Sequence, residues 1–215
     1  TLLLVTICNG SLSIGLSLLN DNNDLGSEIG FAPKIDWKIT DNDSFNHTLQ
    51  AELDFLSMKG NKSYSGTDPL TNLKTDYRHD YDGRAMPLML NYLMDWNPGD
   101  VFGLYAGAGI GFSFNKMDAT NMKAVAREDG TYKDGNDDKS VTAGDETPLL
   151  SAKSDDPTNF AWQFQLGTSL TFAESYKINL GYRYLSTGEF DFSNDLTPKV
   201  KGGHSIIDLG FRYQF

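Results

Sequence analysis

The sequence predicts an all-β fold: a closed antiparallel eight-stranded transmembrane β-barrel, with short turns at one rim and long loops at the other. Three observations predict it. In the last eleven residues, Ser205, Ile207, Leu209, Phe211, Tyr213 and Phe215 form an apolar, aromatic-ended row, and their neighbours Ile206, Asp208, Gly210, Arg212 and Gln214 form a mostly polar one. A period of two means a strand with one oily and one wet face. Segments with that alternation recur until eight are found, and the connectors between them alternate in length.

The first segment, 10–19, sets Leu12, Ile14, Leu16 and Leu18 against Ser11, Ser13, Gly15 and Ser17. An Asn/Asp run from Asn20 ends it with turn-forming side chains. The second, 27–39, turns Ile29, Phe31, Ile35, Trp37 and Ile39 outward and Lys34, Asp36 and Lys38 inward. Pro33 has no N–H to give and marks an irregularity there. The third, 45–57, alternates Phe45, Leu49, Ala51, Leu53 and Phe55 with Asn46, Thr48, Gln50, Glu52 and Asp54.

The fourth, 82–96, carries Met86, Leu88, Leu90, Tyr92, Met94 and Trp96 on one face, and Asn97-Pro98-Gly99 turns the chain. The fifth, 101–114, sets Phe102, Leu104, Ala106, Ala108, Ile110, Phe112 and Phe114 against glycines, Tyr105 and Ser113. The sixth, 160–172, shows Phe160, Trp162, Phe164, Leu166, Leu170 and Phe172. In the seventh, Tyr176, Ile178, Leu180, Tyr182 and Tyr184 oppose Lys177, Asn179, Gly181 and Arg183. The terminal strand is the eighth.

Long connectors are expected at about 20–26, 58–81, 115–159 and 186–203, and tight turns after the second, fourth and sixth strands. Antiparallel closure then places every short turn at one rim, as in bacterial outer-membrane barrels with periplasmic turns and extracellular loops. Residues 1–9, opening on Leu2-Leu3-Leu4-Val5, are expected as an N-terminal extension or the remnant of a secretory leader, and 10–215 as the barrel.

Composition agrees. The 215 residues carry a formal net charge of −11, which phosphate would repel, so nucleic acid is not expected as a partner. The mean hydropathy of −0.40 averages polar connectors with alternating strands. No apolar run reaches the roughly 18 residues of a spanning helix, whereas a spanning strand needs only about 9–11. The single cysteine, Cys8, excludes an internal disulfide framework.

The segments Leu104-Tyr-Ala-Gly-Ala-Gly-Ile-Gly-Phe112, Leu180-Gly-Tyr-Arg-Tyr-Leu185 and Asp208-Leu-Gly-Phe-Arg-Tyr-Gln-Phe215 resemble the small eight-stranded outer-membrane barrels. That family includes the opacity-type surface proteins and the transmembrane domain of outer-membrane protein A. The resemblance implies a bacterial outer-membrane location among lipid and lipopolysaccharide. It also implies an assembly signal in the terminal aromatics Phe211, Tyr213 and Phe215, read by the barrel-assembly machinery.

An eight-stranded barrel is just wide enough for side chains to fill, and buried charges persist only when paired. Lys34, Asp36, Glu52, Asp54, Arg183, Asp208 and Arg212 are therefore expected to form an interior network that plugs the barrel. The other readings are a narrow ion or small-solute path and a soluble lipocalin-like carrier, which would need an apolar calyx. Catalysis is not expected: His47 faces outward by parity, His79 falls in a connector, and His204 and Ser205 point to opposite faces. No cofactor is implied. Asp134, Asn136, Asp138 and Asp145 have partial calcium-loop spacing, but Lys139 stands where that loop needs glycine. Recognition of an extracellular protein or host-surface ligand is expected on the long loops.

Overall fold

The computed structural model describes residues 11–41, 45–68, 71–99, 101–134, 137–149, 151–154, 158–172, 175–190, 192 and 199–215. The expected extension at 1–9, with Cys8, lies outside them. The chain runs β1 (Leu12–Asn23), β2 (Ser27–Asp41), β3 (Phe45–Leu53), β4 (Leu56–Thr67), β5 (Lys74–Trp96) and β6 (Phe102–Ala126). Short strands follow: β7 (Gly130–Asp134), β8 (Asp137–Val141), β9 (Glu146–Pro148) and β10 (Ala152–Lys153). The wall is completed by β11 (Thr158–Phe172), β12 (Tyr176–Phe190) and β13 (Val200–Gln214).

The ring order is β1, β2, β3, β5, β6, β11, β12, β13, every pairing antiparallel. β13 returns to β1, from Ser13↔Gln214 to Asn23↔His204. Closure leaves no unpaired edge along the ring, as a hydrocarbon environment demands.

Side-chain direction follows the alternation. Leu166 is 60% exposed and Leu180 55%, whereas Glu52 is 1% exposed. Aromatic rings form two belts. Phe45 stacks on Trp96, and Tyr176 contacts Phe172, Phe211 and Tyr213 at the short-turn rim. Phe31 stacks on Phe55 at 4.6 Å and Trp162 meets Tyr184 at 5.5 Å towards the other end. Ten residues separate Trp162 from Phe172. At about 3.3 Å per residue and a tilt near 40°, that spans roughly 25 Å, the height of the apolar band of outer-membrane barrels.

β3 and β4 are one strand with a local interruption. Leu53↔Leu88 and Leu56↔Ala85 keep a common register on β5. Between them, Pro87 lies across from Asp54 and accepts from its N–H at 3.0 Å but has no N–H to return. On the other side Pro33 is equally donorless, and the β2 ladder resumes only at the Phe31↔Phe55 bridge. The irregularity expected from Pro33 thus falls on the neighbouring strand, where two prolines withhold their bonds.

The strands run on into segments expected as connectors. Asn20–Asn23 belongs to β1, and the first link is a three-residue turn, Asp24–Gly26, in which Asn23 Oδ1 accepts from Leu25 and Gly26. β4, β5 and β6 continue far past the outer belt, paired from Thr67↔Lys74 and Thr75↔Ala126 downward. β9 and β10 pair with the free side of β6. The result is a polar-faced blade standing on the barrel. Here the apolar phase inverts: Tyr77, Tyr81, Met117, Met122 and Ala124 are buried, while Lys74, Arg78, Asp80 and Asp82 are exposed.

Candidate functional site

The interior divides into three layers. At the short-turn rim a polar vestibule opens, lined by Ser13, Lys38, Thr48, Asp95, Lys177 and Gln214 among others, with about 30 Å³ of free volume. Arg212 Nε lies 2.9 Å from Asp36 Oδ2 at its inner end.

Above it comes the ionic layer. Alternation on β2, β3, β12 and β13 aims Lys34, Asp36, Glu52, Asp54, Arg183, Asp208 and Arg212 at one another. Gln50 Nε2 donates to Asp36 at 2.8 Å, Asn91 Nδ2 donates to Gln50 at 3.0 Å and to Glu52 at 3.1 Å, and Gln163 Nε2 donates to Asn91 at 2.7 Å. Arg183 contacts Glu52 and reaches Asp54 at 3.2 Å. Lys34 Nζ sits 2.5 Å from Asp208 and 3.9 Å from Glu52. All seven residues singled out from the sequence thus join one continuous chain of contacts. The amides Gln50, Asn91 and Gln163 that link them were not singled out, although they share the inward parity. Tyr105 fills the space beside this layer over Gly167 and Gly181. A Cβ on Gly181 would meet its hydroxyl at 2.1 Å.

A third layer caps the barrel. His204 Nδ1 lies 2.7 Å from Asp21 Oδ2, and its Nε2 lies 3.2 Å from Thr187 Oγ1. A carboxylate, an imidazole and a hydroxyl in line have the order of a nucleophile relay. However, all three residues are 0% exposed, and no substrate atom can approach the hydroxyl. Leu19, Leu56, Met58, Met89, Met117, Leu185, Phe190, Val200 and Ile206 then form an apolar cluster across the mouth. Phe190 enters it because a bulge at Gly188, with φ 85°, shifts the phase of β12.

His79 was expected in a connector. It is instead a strand residue on the inner face of the blade, stacked 5.4 Å from Tyr64 and 6.0 Å from Tyr81, with Lys62 opposite. Neither ring nitrogen has a hydrogen-bond partner. Burial lowers its pKa from the usual 6.5, and burial pushes the Tyr81 hydroxyl up to about 12. The neutral ring belongs to the folded blade, so protonation favours the opened one. The stability that neutral His79 contributes is therefore fully present above about pH 6.5 and is lost as pH falls through the lowered value. The protection factors of β4 and β5, which divide out the base-catalysed intrinsic exchange rate, are expected to fall from pH 7 to pH 5, and His79→Phe to remove that dependence.

The partial calcium spacing is dispersed. Asp138 is exposed on β8, Asp145 Oδ2 accepts from Thr142 N at 2.8 Å, and Asn136 and the Asp134 side chain lie outside the described residues. Among the described residues no cluster of three metal-binding side chains occurs. Phe211, Tyr213 and Phe215 lie on the outer face of β13 and beside it, in the short-turn belt, where Tyr213 and Phe215 meet edge to face at 5.0 Å.

The family model of the outer membrane protein beta-barrel domain matches residues 9–215. A Rickettsia massiliae protein named "Putative adhesin" is 28% identical over 127 residues, 59% of this chain and 45% of that protein. The chain thus spans less than half the length of that relative. A similarly named Rickettsia canadensis protein is 25% identical over 174 residues, covering 79% of this chain and 65% of its own. Among solved structures, Pseudomonas aeruginosa OprG is similar at 12% identity and TM-score 0.48, with 96% of both chains covered. With a match to the family model along almost its whole length, the chain belongs to the outer-membrane protein β-barrel domain family.

Proposed function

We propose that this outer-membrane protein acts as a non-enzymatic surface interaction protein. Its plugged barrel serves as a rigid base, the blade of β4–β6, β9 and β10 stands on it, and the segment 127–144 at the blade's tip, with its β7–β8 hairpin, presents the binding surface. The observation that carries the reading is the continuation of the wall ladders beyond the apolar band, with polar side chains outward. β5 extends about ten residues past the outer belt, on the order of 35 Å of strand. Relatives named as adhesins support the same reading.

The ends of the tip meet across a backbone bond: Ala126 N donates to Asp145 O at 3.0 Å. Residues 127–144 can therefore be replaced by a short Gly-Ser turn without opening the β6–β9 ladder. The variant is expected to keep slow, heat-modifiable gel migration while losing attachment of bacteria to host cells. Undiminished attachment would sink the reading. The barrel-assembly machinery is the assembly partner in this proposal, engaged through Phe211, Tyr213 and Phe215.

The alternative ion path is opposed by the cross-linked ionic layer and the apolar cap above it. In planar bilayers, large stable conductance is not expected. A lipocalin-like carrier needs an apolar calyx, and the centre of this barrel is occupied by Lys34, Glu52, Arg183 and Asp208 instead.

A further inference from the structure

Among the described residues, the outer boundary of the apolar band has one charged spot. On each wall strand, the first outward position beyond the apolar row is Asn20, Ser27, Ser57, Arg84, Lys116, Thr158, Ser186 or Ser205. All are uncharged except Arg84 and Lys116, which are exposed and directly opposite each other on β5 and β6. Opposed residues of an antiparallel pair have Cβ atoms about 5 Å apart, where like charges repel. Among the described residues no carboxylate forms an ion pair with either. Of the carboxylates in the next layer, Asp82 lies 3.8 Å from Lys59, and Asp118 stands across from Lys153 in register without forming an ion pair among the described residues. A chain of net charge −11 thus concentrates two unpaired cations at the level of the lipid headgroups.

The surface below suits the rest of a lipid. Met86 and Phe114, then Leu88 and Phe112, then Leu90 and Ile110 descend in opposed pairs from the two cations. They lead into an outward groove of about 570 Å³ with Ala108 in its floor and Tyr92, Ile110, Phe160, Trp162 and Phe164 around it. Six residues separate Lys116 from Ile110, roughly 20 Å along the strand, which is the reach of a fatty acyl chain.

We infer that Arg84 and Lys116 bind a phosphate group of an outer-leaflet lipid whose acyl chain lies down the β5–β6 face into the Ala108 groove. Arg84 offers the planar fork that matches phosphate oxygens, and Lys116 adds a point charge. The site is on the lipid side of the wall and does not depend on the blade, so it stands or falls separately from host attachment.

Native mass spectrometry of the full chain in detergent, titrated with diphosphoryl lipid A, tests it. The unaltered protein should retain this lipid at least about tenfold more tightly than its dephosphorylated form. The double variant Arg84→Gln/Lys116→Gln should bind it roughly thirtyfold more weakly, since each cation near an anionic surface contributes about a factor of five. Ala108→Phe should weaken both lipids alike by filling the groove, and Lys201→Gln should change neither. Inorganic phosphate at millimolar concentration should not displace the lipid. Equal affinity for the two lipids, full retention by the double variant, or displacement by free phosphate would each overturn the assignment. If the double variant fails to fold, the comparison of the two lipids on the unaltered protein still decides.

Discussion

Arg183→Ala is expected to lower barrel stability by about 3–5 kcal/mol, because it strands two carboxylates in the interior. Arg183 is 1% exposed; it contacts Glu52 and lies 3.2 Å from Asp54. Its loss leaves both acids without their guanidinium, with Lys34 3.9 Å from Glu52 and already held by Asp208. The measurement is urea unfolding in lipid vesicles, followed by the fluorescence of outward Trp37, Trp96 and Trp162. A variant that also carries Glu52→Gln and Asp54→Asn should recover most of the loss, since neutral amides cost far less to bury than lone charges. If Arg183→Ala unfolds at the same urea concentration as the parent, the ionic layer contributes no cohesion and the plugged-barrel reading falls.

Leu166→Lys or Leu180→Lys should cost about 2–4 kcal/mol, the largest effect expected on the lipid face. Leu166 lies roughly midway between the Trp162 and Phe172 belts, and Leu180 midway between Tyr176 and Tyr184. A lysine there has no nearby water to reach. Thr158→Lys, beyond the outer belt on the same strand, should cost only about 0–1 kcal/mol. Insertion yield into preformed bilayers and the unfolding midpoint both report the difference. Equal effects at the two depths would mean that this face does not contact hydrocarbon.

The wall was legible because lipid outside and charge inside impose opposite demands on successive residues. Leu12 to Leu18 and Phe160 to Phe172 need no partner information to be read. The interior network was legible for the same reason: Lys34, Glu52, Arg183 and Asp208 share an inward parity, and closure does the rest.

The blade was hidden by a change of phase. Above Arg84 the apolar residues of β5 turn inward, as Tyr77 and Tyr81 do, and its charges turn outward. Bulges at Asn121 and Gly188 shift the phase again. An apolar-outward template therefore meets polar residues and reports a connector. The same period with opposite phase, in Tyr77, His79 and Tyr81 or in Met117 and Ala119, was the available signal. The Asp21–His204–Thr187 alignment had no local trace, because Asp21 and His204 meet only when β13 closes on β1.

The long β5–β6 pairing, from Trp96↔Leu104 to Asp80↔Thr120 and on past one bulge to Thr75↔Ala126, has a mechanical consequence. A ligand that tugs on the tip along the strand axis loads these backbone bonds in shear, where many rungs share the tension. Peeling would break them one at a time. An attachment made at the far end of the blade thus transfers its pull into the membrane-embedded ring, with no slack segment between anchor and grip.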